Sequence, residues 1–165
     1  RAIPLALEQV SLGWEVCDLK ITLIGDEDHN IHSRAGDFTV ATQMAIMKAL
    51  VENGSKLLEP ILEYTISAQE DKLGVIVSSL TQLRAEIGIP SIDNDKFTLT
   101  GTIPVATSLE YSTKFSSLTG SKGKYTTKFH SYRECTLDMG ETTPYRGVNP
   151  LDRAKFILKA RKALS

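Results

Sequence analysis

The sequence predicts an α+β protein: a ferredoxin-like β–α–β–β–α–β domain, preceded by an incomplete α/β segment and followed by a carboxyl-terminal helix. Between residues 57 and 134, apolar residues alternate with polar ones in strand-like segments and recur at three- and four-residue steps in two helix-like ones. Clusters of Gly, Asn and Asp separate these segments, as is typical of turns. This order is the split β–α–β arrangement, in which one sheet face carries both helices and the other is left free.

The elements of this central domain follow one another closely. The first strand is predicted from Ile61 to Ala68, where every second side chain is apolar. The first helix is predicted from Leu73 to Ile87, and Gly88 supplies its carboxyl-terminal stop. The remaining elements are a short strand (Ile89 to Ile92), a turn (Asp93 to Asp95), a strand (Phe97 to Ile103), a helix from Leu109 to about Thr119, a turn (Gly120 to Gly123) and a last strand (Tyr125 to Tyr132).

The pattern of apolar and polar residues in the first sixty positions does not predict a complete domain. They predict a helix (Ile3 to Leu12), a strand (Cys17 to Leu23), a polar loop (Gly25 to Arg34) and a helix (Asp37 to Glu52) closed by Gly54. The second helix has a broad apolar face, which a single strand cannot cover. We therefore expect an excerpt of a longer protein, divided into residues 1–57, 58–134 and 135–165.

Composition indicates a soluble globular protein, with 41% hydrophobic and 24% charged residues and a net charge of −1. No apolar run is long enough to cross a bilayer, and no signal peptide is visible. Cys17 and Cys135 lie far apart in the sequence, which favours two reduced thiols over a disulfide or a metal site. We expect a cytoplasmic monomer that binds neither membrane nor DNA.

The carboxyl-terminal tail is rich in basic residues, which predicts a candidate binding surface. Asn149 is a plausible N-cap, Pro150 suits the first helical position, and Lys155, Lys159 and Lys162 follow at i, i+4 and i+7. Two interpretations stay open. The lysines form either a solvated face of a packed helix or a line of ammonium groups that binds phosphates.

The polar loop contains two histidines next to three acidic residues. His29 and His32 with the acids at 26–28 could hold a metal ion, because imidazole and carboxylate are common ligands. The loop lacks both the helical i, i+4 spacing and the paired cysteines of well-defined metal sites. A solvated loop without metal is therefore the favoured interpretation.

The turn before the last strand superficially resembles two functional motifs. Gly120 to Lys124 looks like a phosphate-binding loop, but it precedes a strand, whereas a nucleotide-binding loop needs Gly-x₄-Gly-Lys-Ser/Thr before a helix. Lys122 to Phe129 partly imitates the aromatic signature of an RNA recognition motif, although Thr126 stands where Gly or Ala is expected. We interpret Tyr125 and Phe129 as ordinary strand aromatics. No catalytic residues are predicted.

Several segments resemble the carboxyl-terminal region of elongation factor G. The stretches Leu57 to Pro60, Gly101 to Pro104 and Leu118 to Gly123 are similar to its last domain, and Gly13 to Ile21 and Ala35 to Leu50 are similar to its fourth domain. The segment Pro144 to Ser165 is similar to the tail of the tetracycline ribosomal-protection proteins. The chain is thus identified as the end of domain four plus domain five of a translational GTPase of that type.

The resemblance implies a ribosome-binding module without catalysis of its own. Its partners would be the decoding region of the small subunit and the GTPase-associated rRNA of the large subunit. GTP and Mg²⁺ would belong to an upstream domain of the parent, and this segment would hold no cofactor. The candidate contact residues are Asp28, His29, Asn30, Ile31 and His32 at the tip of domain four, Lys122 and Lys124 at the turn, and Lys155, Lys159 and Lys162 in the tail.

One departure from the protection proteins concerns the tip loop. Those proteins carry two tyrosines followed by Ser-Pro-Val where this sequence has Asp28 to His32. We therefore expect that this loop does not support displacement of tetracycline. The alternative to a ribosome-binding module is a free-standing binder of single-stranded RNA, of the RNA-recognition-motif type.

Overall fold

The computed structural model describes residues 2–10, 12–25 and 34–163. The helices in this part of the chain are α1 (Ala2–Leu7), α2 (Ala35–Asn53), α3 (Leu73–Gln82), α4 (Val105–Ser108), α5 (Tyr111–Thr119) and α6 (Arg153–Ala160), and a 3₁₀ turn (Glu70–Lys72) precedes α3. The strands are β1 (Leu57–Gln69), β2 (Glu86–Ile87), β3 (Ser91–Asp93), β4 (Lys96–Pro104) and β5 (Lys124–Cys135). No helix in these ranges is long and apolar enough to span a membrane.

The chain divides into two units. Unit 1 comprises residues 1–57 and 137–165, and unit 2 comprises residues 58–136. Unit 1 thus contains both ends of the chain. The predicted division of the protein into domains at residues 57 and 134 stays a prediction.

Unit 2 contains one sheet with the strand order β2-β4-β1-β5, and β3 pairs with the other half of β4. Strands β1 and β4 are antiparallel over nine residue pairs, from Ile61 opposite Pro104 to Gln69 opposite Lys96. Together with α3 and α5, this arrangement confirms the predicted ferredoxin-like fold.

The two faces of this sheet differ as the alternating pattern predicts. Tyr64 and Ile66 of β1 and Leu99 of β4 are fully buried, and they form one cluster with Ile76 and Leu80 of α3. The neighbouring positions of β1 and β4, which point to the other face, carry exposed threonines at 65, 98 and 100. Burial of each large apolar side chain contributes about 1.5–3 kcal/mol, so the apolar face holds the helices and the threonine face stays open.

Two element boundaries in unit 2 differ from the prediction. Helix α3 ends at Gln82 instead of Ile87, because the chain turns through Arg84, whose φ is +60°. The strand predicted from Ile89 to Ile92 corresponds to β3 (Ser91–Asp93), and a further short strand, β2 (Glu86–Ile87), lies where the end of the helix was predicted. Pro90 lies between them, and a proline has no backbone N–H to donate to a ladder.

Other boundaries also differ. The predicted strand from Cys17 to Leu23 is wrong, since residues 12–25 form no strand in the structure. Alternation favours extended backbone, but a strand also needs a hydrogen-bonded neighbour. Helix α1 ends at Leu7, earlier than expected. The helix predicted from Leu109 corresponds to α5, which begins at Tyr111, and the short helix α4 before it was not predicted. Helix α2 occupies the predicted range.

A buried carboxylate connects three segments of unit 2. Glu59 at the start of β1 is 7% exposed, and its two oxygens accept hydrogen bonds from both terminal nitrogens of Arg84, at 3.0 and 2.9 Å. Arg133 of β5 lies 3.3 Å from the same carboxylate and donates to Glu86 of β2 at 2.7 Å. A buried charge is stable only when such partners replace its water, so this cluster fixes the ends of β1 and β5.

We expect Arg84→Gln to destabilise unit 2 by about 3 kcal/mol, because the buried Glu59 loses its two-bond ion pair and keeps only the single 3.3 Å contact with Arg133 among those described. Native-state hydrogen exchange of the β1 and β4 amides measures this loss. The matched control is Lys128→Gln, which breaks the solvent-exposed pair of Lys128 with Glu63 (2.7 Å) and should leave exchange nearly unchanged. Equal effects of the two substitutions would contradict the argument from burial.

Candidate nucleic-acid interface

The candidate residues at the domain tip lie outside the described part of the chain. Asp28, His29, Asn30, Ile31 and His32 all belong to the range 26–33, which the structure does not describe. Their contact with RNA, and the absence of metal there, stay predictions. In the ranges that are described, no group of three or more His, Cys, Asp or Glu could hold a metal ion.

Lys122 and Lys124 flank a tight turn between α5 and β5. Gly120 ends α5 in the left-handed region (φ +59°), which glycine adopts without steric cost. The backbone N–H of Ser121 donates to Ser116 at 2.8 Å, and that of Lys122 donates to Thr119 at 3.2 Å. These bonds close the helix end, and both lysines are exposed at the turn. The interpretation of this segment as a turn is confirmed.

Lys122 shares a cleft with a second lysine that the sequence analysis did not select. Lys72, at the end of the 3₁₀ turn, lines this cleft together with Asp71, residues 118–120 and Lys122. Its Nζ lies 3.2 Å from the Asp71 carboxylate. In the sequence, Lys72 is marked only by the polar run that follows the first strand. That run does not show that Lys72 lies close to the turn that contains Lys122.

The tail lysines lie on and just after α6. Asp152 caps the helix by accepting from the backbone N–H of Lys155 at 3.3 Å, and the Lys155 ammonium lies 3.1 Å from the same carboxylate. These hydrogen bonds hold the pKa of Asp152 below its usual value, the side-chain bond contributing most. The helix therefore begins at Arg153 with Asp152 as its N-cap, and the prediction of Asn149 as the N-cap is wrong.

The three tail lysines differ in their surroundings. Lys155 is already paired with Asp152, whereas Lys159 and Lys162 are exposed and form no ion pair within the described residues. Lys162 follows the helix with a left-handed backbone (φ +56°). Two cationic side chains of this segment are therefore available to an anionic partner without breaking an ion pair between described residues.

Tyr125, the first aromatic residue of β5, does not belong to a stacking platform on the open sheet face. The Tyr125 ring lies 5.2 Å from Tyr111 and 5.8 Å from Phe115, both on α5, so it is part of the helix-side packing. Phe129 is 57% exposed and lies 5.3 Å from the Tyr132 ring. An RNA recognition motif stacks bases on aromatic rings of the open face. That face carries threonines here, so the RNA-recognition-motif alternative has no support.

The comparison with protein families agrees with this geometry. A family described as elongation factor G C-terminus matches residues 56–143, more than half of the 165 residues. The chain belongs to this family. The resemblance inferred from short motifs is therefore confirmed.

Curated relatives of this elongation factor G-type chain include tetracycline resistance proteins. The chain is 32% identical over 157 residues to TetP of Clostridium perfringens. This alignment covers 95% of the chain and 24% of TetP. It is 28% identical over 151 residues to the oxytetracycline resistance protein of Streptomyces rimosus. This alignment covers 91% of the chain and 23% of that protein. The chain thus spans about a quarter of the length of these relatives.

A solved structure shows the same fold. The crystal structure of a Thermus thermophilus protein superposes on 98% of this chain with a TM-score of 0.76 at 23% identity. The match covers 23% of that protein. At this level of identity the likeness concerns the fold alone.

We expect Tyr125→Phe to stabilise unit 2 by about 1 kcal/mol near neutral pH. The Tyr125 hydroxyl is buried and has no hydrogen-bond partner among the described residues, and such a group loses its hydration without compensation. Hydrogen exchange of the β1 amides measures the gain. A loss of stability would mean that the hydroxyl has a partner.

The same substitution changes the response to alkali. Burial raises the pKa of Tyr125 to about 12, from 10.0, and that of Tyr64 likewise to about 12. The unfolded chain ionises its tyrosines first, so folding stability is complete below pH 10 and falls as the pH rises toward 12. The fall should be shallower in Tyr125→Phe, where one of these groups is missing.

Proposed function

We propose that this chain is a non-catalytic, ribosome-binding module of a translational GTPase of the elongation factor G and tetracycline-protection type. The family match over residues 56–143 carries this proposal, because it includes all of the sheet unit. Similarity to the two tetracycline resistance proteins along more than nine-tenths of the chain supports it.

The chemistry of binding would be that of lysine with phosphate. Lys122 and Lys124 are exposed at a hydrogen-bonded turn in unit 2, and Lys159 and Lys162 are exposed in unit 1. Each ammonium that contacts an RNA phosphate releases a condensed counterion, so such contacts gain free energy at low salt. We propose that the turn of unit 2 contacts the GTPase-associated rRNA of the large subunit.

The loop from Asp28 to His32 is proposed to reach the decoding region of the small subunit. It carries acid where the protection proteins carry tyrosines and a proline, and acid next to rRNA phosphates is repelled. The expectation that this loop does not support tetracycline displacement therefore stands as part of the proposal, together with a cytoplasmic, monomeric protein.

We propose that another part of the parent protein binds and hydrolyses GTP, together with Mg²⁺. The 165 residues contain no Gly-x₄-Gly-Lys-Ser/Thr segment, and the glycine-rich turn at 120–123 leads into a strand. A phosphate cradle needs the free N–H groups of a loop followed by a helix. The backbone N–H groups of Ser121 and Lys122 already donate to the carbonyls of α5.

We expect that this chain alone does not bind GTP with measurable affinity. Isothermal titration calorimetry of residues 1–165 with GTP and Mg²⁺ measures this, and the intact gene product serves as the positive control. Binding in the micromolar range by the chain alone would contradict the proposed location of the nucleotide site.

We expect that changing Lys155, Lys159 and Lys162 to Gln weakens binding of the intact gene product to purified ribosomes. Each lost phosphate contact should lower the slope of log affinity against log salt by about 0.9. Because Lys155 is paired with Asp152, we expect the single variant Lys155→Gln to change the slope least.

The control replaces three exposed lysines elsewhere, Lys48, Lys56 and Lys114, with Gln and has the same net charge. It should keep the salt slope of the wild type. A second arm, Lys122→Gln with Lys124→Gln, tests the turn of unit 2. An unchanged slope in the tail variant would mean that its lysines form a solvated face that contacts no phosphates.

A further inference from the structure

The segment after unit 2 is held to the amino-terminal segment of unit 1 by a set of specific hydrogen bonds. Residues 141–146 lie beside residues 9, 10 and 12–14, and none of these described residues is in a helix or strand. Five hydrogen bonds join them, three of which use the side chains of Gln9 and Trp14. We call residues 9, 10 and 12–14 the tail anchor.

Gln9 is the centre of the tail anchor. It is only 7% exposed, and its amide uses both ends: Nε2 donates to the Pro144 carbonyl at 2.9 Å, and Oε1 accepts from the Arg146 backbone N–H at 2.9 Å. A buried amide must satisfy its donor and its acceptor, and here both partners are main-chain groups two residues apart. Gln9 therefore fixes the path of the backbone from Pro144 to Arg146.

Gly13 and Trp14 complete the tail anchor. Gly13 has a φ of +79°, and a Cβ at this position would collide with the main-chain and side-chain oxygens of Thr143. Its carbonyl accepts from the Thr143 hydroxyl at 2.9 Å, and the indole N–H of Trp14 donates to the Glu141 carbonyl at 2.6 Å. Only glycine allows this close approach.

Neighbouring groups show that the contact extends along the segment. Burial raises the pKa of the Tyr145 phenol, and the Glu8 carboxylate adds to this shift. Beyond Arg146, the chain turns through residues 147–152 into α6, and Arg161 at the end of α6 lies 3.8 Å from Asp37 of α2. The tail is thus attached to unit 1 both before α6 and at its end.

We propose that Gln9 is a positioning residue for RNA binding by the tail: the tail anchor holds α6 so that Lys159 and Lys162 meet phosphates as one prearranged surface. This inference rests on the proposed ribosome-binding function. A tethered but mobile basic tail would lose conformational freedom on binding, and prearrangement removes that loss. Gln9 itself touches no RNA in this proposal.

The test is Gln9→Ala in the intact gene product, with three measurements. Hydrogen exchange of the Arg146 amide should accelerate at least about tenfold, because its acceptor is removed. Affinity for purified ribosomes should fall about fivefold to tenfold. In the variant whose tail lysines at 155, 159 and 162 are already Gln, the further change Gln9→Ala should have almost no effect on affinity, because the two changes act on the same contact.

The double-variant measurement separates positioning from a merely structural role. If Gln9→Ala acted by destabilising unit 1 in general, its effect on affinity would add to that of the lysine changes. Gln43→Ala, at a half-buried glutamine of α2 in the same unit, is the matched control and should change neither the Arg146 exchange nor the affinity.

The outcomes distinguish this inference from the function on which it rests. If the wild type fails to bind ribosomes, or the lysine changes have no effect, the proposed function of the tail fails. If the lysine changes weaken binding but Gln9→Ala exposes the Arg146 amide without loss of affinity, the positioning role alone is overturned. An additive effect of the two changes, or an Arg146 amide that stays protected in Gln9→Ala, also overturns it.

Discussion

The register between β1 and β4 is the constraint on which unit 2 depends. Nine residue pairs place Tyr64 opposite Gly101 and Ile66 opposite Leu99, so the large side chains of both strands point to the same face. A slip of one residue would turn all of them to the open face and bring the threonines toward the helices. The position of α3, of α5 and of the turn with Lys122 follows from this sidedness.

Charged residues in this chain serve two separate purposes. Glu59, Arg84 and Arg133 are used internally, in a cluster whose carboxylate is almost completely removed from water. Lys159 and Lys162 remain in solvent and form no ion pair within the described residues. A net charge close to zero conceals this difference, because it counts both kinds equally. Only the exposed kind can exchange counterions for RNA phosphates.

The two units hold their candidate binding residues in place by different means. Unit 2 has the features of a rigid support: a closed helix end, a central sheet and a buried ion cluster. In unit 1, residues 137–152 have no helix or strand, and main-chain groups of Glu141, Pro144 and Arg146 in this stretch bond to the side chains of Gln9 and Trp14. A chain without regular structure must satisfy its backbone groups in this individual way.

The sequence by itself indicated the family, through short motifs that resemble elongation factor G. It also determined the order of elements in unit 2 and its two-faced sheet, because alternation and helical spacing are local properties of the chain. The tertiary structure decided the rest. It ended α3 at Gln82, where Arg84 turns back to Glu59. It left Cys17 to Leu23 without a strand and placed Tyr125 among the helices. It also joined Gln9 to Pro144, 135 residues away. Each of these depends on a partner distant in sequence, and no local pattern specifies that partner.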